Sequence, residues 1–107
     1  MNINEKISIL IPCYNEQNTI SKVIKNSRDS IKLISDQFEI IVVDDFSTDQ
    51  TRSILKNFEN NDDIKIIFHE KNFGKGEAIK TALKHVDGKY IIIQDADLEY
   101  DPAEYSK

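Results

Sequence analysis

Tyr90-Ile91-Ile92-Ile93-Gln94-Asp95-Ala96-Asp97-Leu98-Glu99-Tyr100-Asp101-Pro102 passes without a break from apolar β-formers into acid. An apolar run that ends in Asp-x-Asp reads as a buried strand delivering carboxylates to its C-terminal edge, where open α/β sheets place their ligands. Residues alternate sides along a strand, so Asp95 and Asp97 share a side if extended geometry continues through Ala96. Paired carboxylate oxygens suit a hard cation, Mg²⁺ or Mn²⁺, whose shell is completed by water and substrate phosphates. Taken alone, an Asp-x-Asp reads first as a solvated acidic turn closing a strand. Upstream sequence weighs against that reading.

Working outward, three more apolar runs precede this one. Ile7-Ser8-Ile9-Leu10-Ile11 is a strand expected to stop at Pro12, which has no N–H to give a ladder. Phe38 to Val43 is the second, ended by Asp44-Asp45, and Ile64 to Phe68 the third. Between them lie helical patterns. Ile20, Val23, Ile24, Ser27, Ile31 and Ile34 mark an amphipathic helix of about four or five turns. Ser47, three residues before Gln50, suggests a capping box for a helix with Ile54, Leu55 and Phe58. Gly74-Lys75-Gly76 opens a third helix with Ala78, Ile79, Ala82, Leu83 and Val86 on one face and Gly88 as its C-terminal cap. Ala103-Glu104-Tyr105 reads as the first turn of another. The β-α-β-α-β-α-β alternation predicts one Rossmann-like α/β unit over 1–107, a parallel sheet of about four strands with helices on both faces.

At 107 residues, 39% hydrophobic and 31% charged, the chain has the make-up of one soluble globular domain. Its net charge of −5 is concentrated late: from Asp95 onward there are five acidic side chains against one lysine. A nucleic-acid surface would want a basic excess, so the charge favours a polyanionic ligand bridged by metal. Cys13 is the single cysteine. It suits a reducing, cytoplasmic compartment and reads as a packing residue. No apolar run reaches the length of a membrane span, and the polar Met1 to Lys6 is no signal peptide.

In a parallel sheet the strand ends at Pro12-Cys13-Tyr14-Asn15-Glu16, Asp44-Asp45 and Asp95-Ala96-Asp97 all lie on one edge. Each also has a local reading: Asn15 as a helix N-cap, Asp44 as a loop brace, Tyr14 as a cover for the sheet end. Gly74-Lys75-Gly76 is neither a dinucleotide fingerprint nor a P-loop, yet it could bring backbone donors and Lys75 to a phosphate or base. His69 and His85 read as surface residues.

Together these residues resemble the nucleotide-binding part of a family-2 glycosyltransferase of the GT-A type, closest to the polyprenyl (dolichyl) phosphate sugar transferases. Four ordered segments carry the resemblance: Ile11-Pro12-Cys13-Tyr14-Asn15-Glu16, Val42 to Thr51, Asn72-Phe73-Gly74-Lys75-Gly76-Glu77-Ala78, and Gln94 to Pro102. The resemblance implies that Pro12, Tyr14 and Glu16 cradle base and ribose, that Val43 and Asp45 complete the base pocket, and that Asp95 and Ala96 lie against the nucleotide. It makes the DxD acids Asp95 and Asp97 the catalytic residues, with Asp97 and Glu99 as metal ligands for Mg²⁺ or Mn²⁺. The implied reaction is single-step inverting transfer from a nucleoside-diphosphate sugar, GDP-mannose or UDP-glucose foremost, to a polyprenyl phosphate, at the cytoplasmic face of a membrane. Phe46 departs from the family's usual glycine and has to manage a turn that favours positive φ. The match stops before the family's acceptor-binding segment and catalytic base, so donor binding with little or no transfer is expected of these 107 residues alone. Two rivals remain at this point. One is a Mg²⁺-binding receiver module, whose acidic pair would follow the first strand rather than the second; the other is a non-catalytic interaction module that pairs into a homodimer through an exposed sheet edge.

Overall fold

The computed structural model describes residues 5–96. Its elements are β1 (Ile7–Cys13), α1 (Ile20–Lys32), β2 (Phe38–Asp44), α2 (Thr51–Lys56), β3 (Ile64–Phe68), α3 (Lys75–Leu83) and β4 (Tyr90–Ile93). The strands form one parallel sheet in the order β3-β2-β1-β4. The α/β unit expected from the alternation is therefore present. The turn expected at Ala103-Glu104-Tyr105 lies outside the described residues.

Strand periodicity explains the two layers. On one face Ile7, Ile9, Ile11, Ile40 and Val42 pack against Ile20, Val23, Ile24 and Ile31 of α1 and Leu55 of α2. On the other, Leu10, Ile41 and Val43 meet Ala78 and Ala82. Two alanines bring α3 close to the sheet, and Leu83, expected on its buried face, is instead exposed. Every residue of β1 is buried because both faces are covered. β4 is a sheet edge with Tyr90, Ile91 and Ile93 exposed.

Four local expectations are corrected. β1 runs through Pro12 to Cys13. Ile7 N–H and Cys13 C=O bond towards β2, whereas Leu10 C=O accepts from Gln94 N–H on the β4 side. Pro12 shares the orientation of Leu10 and points its N towards β4 beyond that strand's last paired residue, Ile93. The missing N–H thus ends the β1–β4 ladder and leaves β1–β2 intact. α1 stops at Lys32, short of Ile34, where Ser35 N–H donates to Ile31 and the Ser35 side chain turns the chain by bonding Gln37. α2 is a short helix with no capping box: Gln50 is its N-cap, Asp49 Oδ1 accepts Thr51 N–H at 2.8 Å, and Phe58 lies past its end.

The last correction concerns Gly88, which lies beyond the α3 C-cap, Lys84. A Cβ there would stand 2.4 Å from Ser8 Oγ and 2.7 Å from Ser8 N. Glycine is required by this close approach to β1, and Gly88 N–H donates to Ser8 Oγ at 2.9 Å. Below α3 the second face is polar. Ser8 Oγ donates to the buried Glu39 at 2.6 Å, Asp87 N–H donates to the same carboxylate at 2.7 Å, and Lys65 Nζ lies 2.9 Å from its other oxygen.

Candidate functional site

Parallel strands put their C-terminal ends on one rim, and there a cleft of about 210 Å³ opens. β1 and the turn after it supply Pro12, Cys13, Tyr14 and Glu16; the residue after β2 is Asp45; α3 supplies Lys75 and Ala78; the segment after β4 supplies Asp95 and Ala96. Of the residues expected to bind substrate, Val43 does not line the cleft: it is fully buried in the layer beneath α3. Asp97 and Glu99 lie outside the described residues. The volume is below the roughly 300 Å³ at which small-molecule sites begin.

The rim is held by side chains bridging loops that are far apart in sequence. Asn15 sits at φ 52°, a left-handed conformation that Asn tolerates. Its Oδ1 accepts Thr48 N–H at 2.7 Å and Asp49 N–H at 3.3 Å, and its own N–H donates to Ser47 Oγ at 2.9 Å. Glu16 N–H donates to Thr51 Oγ1 at 2.9 Å. Asn15 is thus a brace between the first two loops; the N-cap of α1 is Thr19. The Thr19 hydroxyl donates to Ala96 C=O and ties the acidic segment to α1.

Adjacent aspartates have opposite surroundings. Asp44 is fully buried, accepts the N–H and hydroxyl of Ser47, and pairs with Arg52 Nε at 3.6 Å. That guanidinium lies 4.8 Å from the Phe68 ring centroid and 5.7 Å from that of Phe46. Phe46 holds φ 66°, the strained turn its place in the sequence implied. Asp44 is therefore a loop brace.

Asp45 faces the other way. Its Oδ1 accepts Phe73 N–H at 2.8 Å and His69 Nδ1–H at 2.9 Å, and its Oδ2 accepts Gly74 N–H at 2.8 Å. Burial pushes the carboxyl up, but the bonds from His69, Phe73 and Gly74 outweigh it and hold the group below the usual carboxylate range. Gly74, at φ 96°, takes a conformation that suits glycine alone and turns two successive N–H groups onto one carboxylate. His69, expected at the surface, has a side chain only 9% exposed; His85 is exposed as expected. What sequence reading missed was His69, because nothing local distinguishes a histidine just past a strand from a solvated one.

Across the cleft Lys75 Nζ pairs with Asp95 Oδ1, both reachable by solvent. Cys13 is buried; burial, then the charges of Asp44 and Glu16, push its thiol far above the ordinary value, so it stays a protonated packing group. Among the described residues no group of three His, Cys, Asp or Glu side chains could hold a metal ion. Asp95 alone of the DxD carboxylates is described, and its oxygens have the hardness Mg²⁺ or Mn²⁺ prefers.

The model of the family described as glycosyl transferase family 2 matches residues 8–107. The chain belongs to this family. The family-2 chain is 38% identical over 109 residues to an undecaprenyl-phosphate 4-deoxy-4-formamido-L-arabinose transferase of Yersinia pestis (strain Pestoides F), a match covering 97% of this chain and 33% of that protein. The chain therefore spans about a third of the length of the curated relatives it matches. Among solved structures it is similar to the mannosyltransferase PcManGT of Pyrobaculum calidifontis in complex with GDP-Man and Mn²⁺. That match has TM-score 0.79 and 31% identity, over 89% of this chain and 28% of that one. It is also similar to S. aureus TarS 1-349 in complex with UDP-GlcNAc, with TM-score 0.72 and 34% identity, over 86% of this chain and 26% of that one. Membership of a glycosyltransferase family displaces the receiver reading.

Proposed function

We propose that the chain is the donor-binding part of a metal-dependent, inverting family-2 glycosyltransferase that moves a sugar from a nucleoside diphosphate to a polyprenyl phosphate. The observation that carries this is the meeting of Tyr14, Asp45, Lys75 and Asp95 on one cleft from four separate chain segments. The lipid acceptor is supported by the undecaprenyl phosphate in the relatives' name. The donor class is supported by GDP-Man and UDP-GlcNAc in the similar structures.

Each residue has a task in this reading. Tyr14, 43% exposed, offers a ring face against which a base can stack. Asp45 Oδ1 is filled by two donors, whereas among the described residues Oδ2 takes only Gly74 N–H and keeps a lone pair. That acceptor suits a base presenting an N–H on its pairing edge, uracil or guanine, in keeping with UDP-glucose or GDP-mannose. Pro12, Glu16 and Ala96 wall the nucleotide, and Lys75 gives a positive charge for its phosphates. Asp97 and Glu99 would hold Mg²⁺ or Mn²⁺, with Asp95 two positions earlier in the sequence. A divalent ion bound there supplies neutralisation of the charge that gathers on the departing diphosphate. Inversion needs no protein nucleophile, and the protonated Cys13 offers none. An ionised lipid phosphate attacks without a general base.

The acceptor sits in a membrane and the donor in water, so we place the full-length enzyme at the cytoplasmic face. The free, buried Cys13 is in keeping with that compartment. The exposed β4 edge supports pairing with a second copy when the chain is by itself, which sedimentation at rising concentration would show as a dimer. Calorimetry with UDP, GDP and their sugars, with Mn²⁺ and with chelator, tests the donor reading. Binding to one of them that chelation weakens is the expected result; no binding to any would refute it.

A further inference from the structure

We infer that His69 is a positioning residue for the donor site, holding Asp45 and the Phe73-Gly74-Lys75 turn in the geometry a nucleotide needs. This rests on the donor-binding reading of the cleft. His69 follows β3, and its N–H donates to Asp44 C=O at 2.8 Å, so its backbone is fixed by the sheet. Its ring stands between two elements: Nδ1 lies 2.9 Å from Asp45 Oδ1 and Nε2 lies 2.7 Å from Thr81 Oγ1 in the middle of α3. An ionised carboxylate only accepts, so Nδ1 carries the hydrogen, and in the neutral ring Nε2 accepts a hydrogen bond from the Thr81 hydroxyl. The Phe73 ring meets the imidazole edge-on, with centroids 5.4 Å apart.

The backbone, Thr81 and Phe73 contacts fix the imidazole, and the imidazole in turn fixes Asp45. With the Nδ1–H donor in place the carboxylate cannot rotate away from Phe73 and Gly74. Those two N–H groups precede α3, and Lys75, its first residue, follows directly. Among the described residues His69 therefore reaches the cleft through Asp45 and the turn before Lys75, and it is absent from the lining.

A donor role and a packing role order two variants oppositely. His69→Asn keeps an amide N–H near the Nδ1 position and loses ring volume; His69→Phe keeps the ring and loses the donor. Hydrogen exchange at the Phe73 and Gly74 amides reads the bracket with no ligand present, and calorimetry with UDP and GDP in Mn²⁺ reads the site. We expect His69→Phe to speed exchange at both amides and to weaken nucleotide binding by about tenfold, with His69→Asn close to wild type in both. Thr81→Val, which frees the far end of the ring, is expected to speed exchange at the same two amides. His69→Asn worse than His69→Phe, or His69→Phe indistinguishable from wild type, would overturn the assignment. A wild-type chain that binds neither nucleotide, with the exchange ordering intact, would retire the donor reading while upholding the bracket.

Discussion

Glu39 is the most informative residue to perturb for stability, because its buried carboxylate gathers polar partners from three separate segments on the α3 face of the sheet. One oxygen accepts the Ser8 hydroxyl and Asp87 N–H; the other lies 2.9 Å from Lys65 Nζ and 3.9 Å from Lys6 Nζ. Glu39→Ala strands the Ser8 and Asp87 donors. Leaving such groups unpaired costs about 1–3 kcal/mol each when buried. The lysines reach solvent and regain water, so the ion pairs add well under 1 kcal/mol apiece. A loss of about 3 kcal/mol follows, which for a domain near this size lowers Tm by more than about 10 °C. Glu39→Gln keeps an acceptor for Ser8 and Asp87 but turns an amide N–H₂ towards Lys65, and should cost about 1–2 kcal/mol. Acid dependence supplies a second reading. Burial pushes Glu39 up, but bonds from Ser8, Asp87 and Lys65 outweigh it, so the folded group titrates below its unfolded value. Its stabilising contribution is therefore fully present above an unfolded carboxyl's pKa of about 4.3 and fades as pH falls through the lower folded value. Urea unfolding at pH 7 and at stepped acid pH should show the wild type losing its margin over Glu39→Gln on that acid limb. A Glu39→Ala protein within about 1 kcal/mol of wild type, or parallel acid profiles, would refute the assignment of Glu39 as a buried latch.

Lys75→Met should weaken UDP and GDP binding by about tenfold through loss of a charge-assisted contact, measured by calorimetry, without lowering Tm, since Lys75 is largely exposed. Asn15→Ala removes the acceptor of the Thr48 and Asp49 amides and leaves alanine at φ 52°. A loss of about 2 kcal/mol in urea unfolding is expected. Cys13 should resist a thiol reagent in native buffer and react once in urea, because burial keeps it protonated and shielded; fast native labelling would contradict this.

Much of this protein was legible in order of residues alone. Ile20, Val23, Ile24 and Ile31 on α1, and the alternate apolar positions of β1 and β2, set the element order, the layers and the edge on which the candidate site lies. Those patterns are local: a period of 3.6 or 2 has a single way to bury itself. Seven of the eight residues expected to touch substrate line one cleft for the same reason, since parallel strands share a rim. Partner choice among polar groups is another matter. Asn15 with Thr48, Glu39 with Asp87, Asp45 with Phe73 and Gly74, and Ser8 with Gly88 are separated by 28 to 80 positions. Asn15, Ser47, His69 and Gly88 were each open to a plausible local role that their distant neighbours overrode. A hydrogen bond depends on distances of a few tenths of an ångström and on direction, quantities that exist only after the sheet has closed and its loops have met.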